Sequence, residues 1–199
     1  MARPPASLQK LISLLRKFPG VGIKSAERYA FELLNWESPS LDLLAESIRL
    51  LRQEVYPCPT CHCLKGKDPC EFCDINKRQT NSLCIVSHAK DVYPIEETHT
   101  FKGLYHVLGT LFSPMQGHYS QQINIENIKK RVLENQITDI ILALDSTLEG
   151  DATALFLKQE MQSWGLSISR LAFGMPLGSS FEYVDSGTLA RAFLGRHQF

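Results

Sequence analysis

Apolar residues recur at helical spacing from Ser7 to Phe18, where Leu8, Leu11, Ile12, Leu15 and Phe18 share one face. Pro19-Gly20-Val21-Gly22 breaks that pattern. Ala26, Tyr29, Ala30, Leu33 and Leu34 then resume it, which predicts a second helix after a tight turn. Ser38-Pro39 supplies an N-cap and a first helical residue for a third helix, expected to turn Leu41, Leu44, Ile48 and Leu51 inward. From Leu83 onward short β-like runs take over, at Leu83–Val86, Tyr105–Leu108, Thr138–Leu144 and Ser167–Phe173. Helical runs at about Ile125–Asn135 and Ala152–Trp164 separate the later ones, and Gly165 suits a helix C-cap. Such alternation implies an α/β unit with a largely parallel sheet. Near the end, Leu189, Phe193 and Leu194 form one more helical face that needs a surface to pack on.

The stretch from Tyr56 to about Arg78 fits neither pattern, being poor in large aliphatics and rich in Cys, Pro, Lys and Asp. It cannot bury a conventional core, and metal ligation is the available substitute. Cys58-Pro-Thr-Cys61 and Cys70-Glu-Phe-Cys73 are two CxxC pairs separated by eight residues. Two tight knuckles of this kind deliver the four thiolates of a tetrahedral structural zinc site. The competing readings are a pair of redox CxxC motifs or chance clustering, which a segment with no other means of folding disfavours. His62 and Cys63 adjoin a ligand, but a closed tetrahedral site has no fifth position. Cys63 is expected to be an exposed thiol, and Cys84, inside a strand, a small buried hydrophobe.

Composition narrows the partners. The 199 residues are 44% apolar, enough for a packed core. With 21 basic and 21 acidic residues the formal net charge is zero, so nucleic-acid binding has to be argued from local features. No apolar stretch approaches the roughly 18 residues of a membrane span, and no signal-peptide core follows the first basic residues. A cytoplasmic location is expected, where six cysteines point to metal rather than disulfides.

One local feature is the turn Phe18-Pro-Gly20-Val-Gly22-Ile-Lys24-Ser-Ala-Glu-Arg28. Gly20 and Gly22 let the backbone aim its N–H groups at an anion, with Lys24 and Arg28 four apart on the following helix. This resembles a helix-hairpin-helix, whose contacts go to DNA phosphates without reading sequence and are salt-sensitive. Any Pro-Gly turn between helices could look similar. Arg16 and Lys17 could extend the patch or could be an ordinary helix end.

The other feature is a set of carboxylates: Asp145 ends a strand, and Glu149 and Asp151 follow at the edge where α/β sheets bind ligands. Glu149 and Asp151 could share a magnesium ion, or could simply favour a helix N-terminus.

Leu83-Cys-Ile-Val, Lys102-Gly-Leu-Tyr-His-Val-Leu-Gly109, Ser113-Pro114, Thr147-Leu-Glu-Gly-Asp-Ala-Thr153 and Gly174-Met-Pro-Leu-Gly178 follow in order. With the hairpin and the four cysteines, they resemble the bacterial RecR family over nearly the whole chain. The resemblance implies an α+β multidomain protein: a helix-hairpin-helix DNA-binding domain at 1–55, a four-cysteine zinc finger at 56–80, a Toprim α/β domain with a mostly parallel sheet at 81–177, and a C-terminal helical oligomerisation segment at 178–199. It also implies a homo-oligomer, a tetrameric ring able to encircle DNA, acting with RecO and RecF to help load the recombinase RecA on gapped single-stranded DNA. Catalytic Toprim proteins place a glutamate after the first strand. Ser87 stands there in this chain, where RecR members typically carry glutamate. Asp145 replaces a usual asparagine, and Asp185-Ser-Gly187 is less acidic than the family pattern. Pro94 is expected to delay or shorten the helix after that strand. No catalytic residue is therefore expected, and a magnesium-dependent Toprim nuclease or nicking enzyme is the alternative.

Overall fold

The computed structural model describes residues 4–112, 123–172 and 174–196. Ser113, Pro114 and Phe173 of the motifs above lie outside these residues. The chain divides into two compact units, residues 1–54 and 55–199.

The first unit holds α1 (Ala6–Leu15), α2 (Ile23–Leu33) and α3 (Ser38–Glu54). Leu8, Ala26 and Ala30 are buried between α1 and α2, the two alanines letting the helices approach closely. The expected inward face of α3 is not realised. Leu44, Ile48 and Leu51 are exposed, and no residue of α3 is buried. An apolar stripe signals a face that favours cover, but not that the cover lies in the same unit.

The second unit opens with a two-residue antiparallel pair, β1 (Tyr56–Pro57) and β2 (Leu64–Lys65). Its centre is a four-stranded sheet of order β4-β3-β5-β6, with β3 (Gln79–Val86), β4 (Gly103–Val107), β5 (Asp139–Ala143) and β6 (Ser167–Arg170). Every pairing is parallel, as the strand-helix alternation requires. Between the strands lie α4 (Val92–Glu97), α5 (Ile125–Asn135) and α6 (Leu148–Met161), and α7 (Ser186–Leu194) ends the described chain. Leu83, Ile85, Ile128, Ile140, Leu157 and Met161 belong to the main core.

Two sequence expectations, the short helix at Pro94 and the cap at Gly165, are met and one, the start of α6, is not, each for a local reason. The α4 helix has only six residues, and Pro94 sits in its first turn, where a backbone N–H has no helical acceptor to lose. The α6 helix starts at Leu148 rather than near Ala152, because Thr147 Oγ1 accepts the Gly150 N–H (3.1 Å) and caps it. Gly150 is also a close-approach position: a Cβ there would lie 2.0 Å from the Asp145 carbonyl oxygen. The last turn passes through a 3-10 segment to Gly165, whose φ of 72° ends the helix as expected. Among the described residues no helix is long and apolar enough to cross a membrane.

Candidate metal centre and nucleic-acid interface

The four cysteines converge. The sulfur atoms of Cys58, Cys61, Cys70 and Cys73 all lie within 4.8 Å of one another, with Cys58 to Cys73 at 3.9 Å and Cys61 to Cys70 at 3.5 Å. Zn–S bonds of about 2.3 Å in a tetrahedron would place sulfurs about 3.8 Å apart, so the donor set and its spacing fit zinc. Burial pushes the Cys70 thiol up to about 11, so a thiolate at that position is favoured only with a cation beside it.

The knuckle is built onto the sheet. The Cys58 N–H donates to the Cys63 carbonyl (2.8 Å) and the His62 N–H to the Cys58 carbonyl (2.9 Å), closing the first turn. His62 takes a left-handed φ of 61° there. The Val107 N–H donates to the Cys61 carbonyl (2.8 Å), and His62 Nδ1–H donates to the Val107 carbonyl (3.1 Å). Cys63 is not the exposed thiol expected: it is wholly buried, packed with Cys58, Cys61 and Cys70 against Cys84, Val86 and Tyr105. Its neighbours are contributed by β3 and β4, which the local spacing cannot reveal.

Two further residues complete the surroundings. Arg131 of α5 is 3% exposed, and both terminal nitrogens donate to Cys73 Sγ at 3.6 Å. Its signal in the sequence is a cation on the same face as Ile128 and Val132. His106 is equally buried, and burial, then the Arg131 charge and His62, drive it down to about 3, so it stays neutral.

A second polar cluster ties the knuckle to α4 and β4. Arg78 donates from its two terminal nitrogens to the Glu96 carboxylate (2.8 and 2.7 Å), which also accepts from the Tyr105 hydroxyl at 2.6 Å. The guanidinium lies 5.2 Å from the Phe72 ring and 5.5 Å from the Tyr105 ring.

At the carboxyl edge of the sheet Ser87 is fully buried, and its Oγ accepts the Asp145 N–H (3.4 Å). Glu149 and Asp151 both fall in the first turn of α6. Asp151 lies between two guanidiniums, Arg170 at 2.7 Å and Arg191 of α7 at 2.8 Å, and Arg191 also donates to Ser146 Oγ (2.9 Å). Burial alone would raise the Asp151 carboxyl, but the two arginines outweigh it and hold it below its ordinary value.

In the helical unit Gly20 adopts a φ of 75°, and Gly22 is the N-cap of α2. Lys24 and Arg28 are exposed one turn apart on α2, with the Arg28 guanidinium 5.5 Å from the Tyr29 ring. Arg16 and Lys17 are exposed at the end of α1. Beside them an apolar groove of about 490 Å³ is lined by Leu15, Phe18, Val21, Tyr29, Leu33 and Trp36.

Three family models match these same segments: the RecR helix-hairpin-helix over residues 8–51, the Toprim domain over 81–172 and the RecR C-terminal model over 174–197. Full-length relatives agree. The Recombination protein RecR of Protochlamydia amoebophila is 51% identical over 197 residues, covering 99% of this chain and 100% of its own. The chain belongs to the RecR family. Its relatives of the same name from Chlamydia felis and Chlamydia trachomatis serovar D are 51% and 47% identical, each covering the whole of both chains. The helical unit thus coincides with the RecR hairpin model, and the parallel sheet with Toprim.

Proposed function

We propose that this protein is a non-catalytic, DNA-binding mediator of recombinational repair in the cytoplasm, with a structural zinc on Cys58, Cys61, Cys70 and Cys73. It binds DNA without sequence preference through Gly20, Gly22, Lys24 and Arg28. As a homo-oligomeric clamp, a tetrameric ring by family resemblance, it acts with RecO and RecF to help load recombinase on gapped single-stranded DNA. The observation carrying the non-catalytic reading is the state of the Toprim edge. Ser87 has no carboxylate to act as acid or base, and Asp151 is committed to Arg170 and Arg191. An oligomer is supported by exposed apolar side chains at both ends of the chain, Phe18, Leu34 and Ile48 in the helical unit and Leu177, Phe181 and Leu194 near the end. Several weak phosphate patches on one ring would add through avidity, which offsets the neutral net charge.

The decisive experiment measures DNA binding across a salt series, with oligomeric mass determined in the same buffers. Oligomers that bind any sequence with a steep salt slope are expected. A monomer indifferent to DNA would refute the clamp. Incubating plasmid with protein and magnesium tests the alternative, a Toprim nuclease using Glu149 and Asp151, which nicked product would establish.

A further inference from the structure

One buried charge in the sheet-bearing unit has no carboxylate beside it. Arg131 is 3% exposed, and among the described residues no Asp or Glu pairs with it. A buried guanidinium is costly unless an anion compensates it. The partner its geometry offers is Cys73 Sγ, reached by both terminal nitrogens at 3.6 Å across 58 positions of chain. Its carbonyl is separately occupied by Asn135 Nδ2 (2.9 Å) at the end of the same helix.

We propose that Arg131 is a positioning residue of the metal centre: its guanidinium fixes the Cys73 thiolate and offsets part of the cluster's negative charge, so that α5 governs how tightly the metal is kept. This rests on the zinc reading above. Four thiolates around a divalent cation carry two net negative charges, and a fixed cation against one sulfur offsets part of that charge and holds the sulfur in place. Charge compensation runs both ways. The metal-bound thiolate makes Arg131 tolerable in the interior, and Arg131 makes four thiolates tolerable in a half-buried knuckle.

The test uses the zinc-loaded full-length protein and follows zinc release to a chromogenic chelator, with circular dichroism on the same samples. Arg131→Gln is expected to release zinc on the order of tenfold or more faster than wild type, and Arg131→Lys, which keeps the charge but not the two-pronged contact, at an intermediate rate. Val132→Ala is the control: it loosens the same turn of α5 from a buried position without touching a cysteine, and its release rate stays near wild type. Wild-type release from a folded Arg131→Gln protein, or equal acceleration by Val132→Ala, would overturn the inference. If Arg131→Gln fails to fold, Arg131→Lys decides alone, an unchanged rate being fatal. A wild-type protein purified without zinc would instead overturn the metal reading itself.

Discussion

The Arg78, Glu96 and Tyr105 cluster yields a prediction in which magnitudes set an order. Glu96→Gln replaces a carboxylate that accepts three hydrogen bonds and leaves the Arg78 guanidinium without its counter-charge. The Arg78 side chain is 11% exposed, so water compensates it poorly. With hydrogen bonds to charged groups contributing about 1.5–3 kcal/mol each and one weaker amide bond retained, the loss should be about 2–4 kcal/mol. Arg78→Met leaves Glu96, whose side chain is 30% exposed and can be rehydrated, and Met keeps apolar contact with Phe72 and Tyr105. Its cost should be about 1–2 kcal/mol. The double variant should cost less than the sum by about 1–2 kcal/mol. Urea unfolding followed by Trp164 fluorescence, in a Trp36→Phe background with zinc present, isolates the unit concerned. The effect should also fade in acid. Glu96 is held below its ordinary value chiefly by Arg78, so its contribution is complete above the unfolded carboxylate range and is lost as pH falls through the lowered folded value. Additive single costs, or an Arg78→Met cost equal to or above that of Glu96→Gln, would refute the reasoning.

Gly150→Ala should destabilise the sheet-bearing unit by about 2 kcal/mol or more, read as a lower urea midpoint. Its Cβ would meet the Asp145 carbonyl oxygen at 2.0 Å, and backbone atoms on both sides must move. Lys24→Ala with Arg28→Ala should leave the helical content intact and weaken binding to all DNA sequences alike. The salt slope should fall by about 2 per binding unit, one for each lost phosphate contact, and an unchanged slope would move the interface elsewhere.

How far the sequence can be read depends on the range of the interaction concerned. The periodicities placing α1, α2, α5 and the four strands are local, and so is the CxxC spacing that marks the metal centre. The burial of Cys63 depends on β3 and β4, which are distant in sequence, and a residue beside a ligand gives no hint of what lies across from it. Asp151 is similar: the carboxylate is visible in the sequence, but the arginines meeting it come from β6 and α7. Arg131 escapes a reading of the sequence because it follows Lys129 and Lys130, and cations in an amphipathic helix normally face solvent. The stripe on α3 is apolar, as the spacing indicates, but it is not internal, since periodicity records a face and says nothing of its cover.

The bonds between the knuckle and Val107 bear on a matter apart from metal binding and repair. The β4 strand is an edge of the sheet, and an open edge offers unpaired main-chain groups to the strand of any other molecule. The N–H and carbonyl of Val107 are taken by Cys61 and His62, so the cysteine knuckle also blocks one end of that edge. If the knuckle holds the zinc proposed above, stripping it should uncover a docking rail for stray strands, and the apoprotein should aggregate before the sheet itself melts.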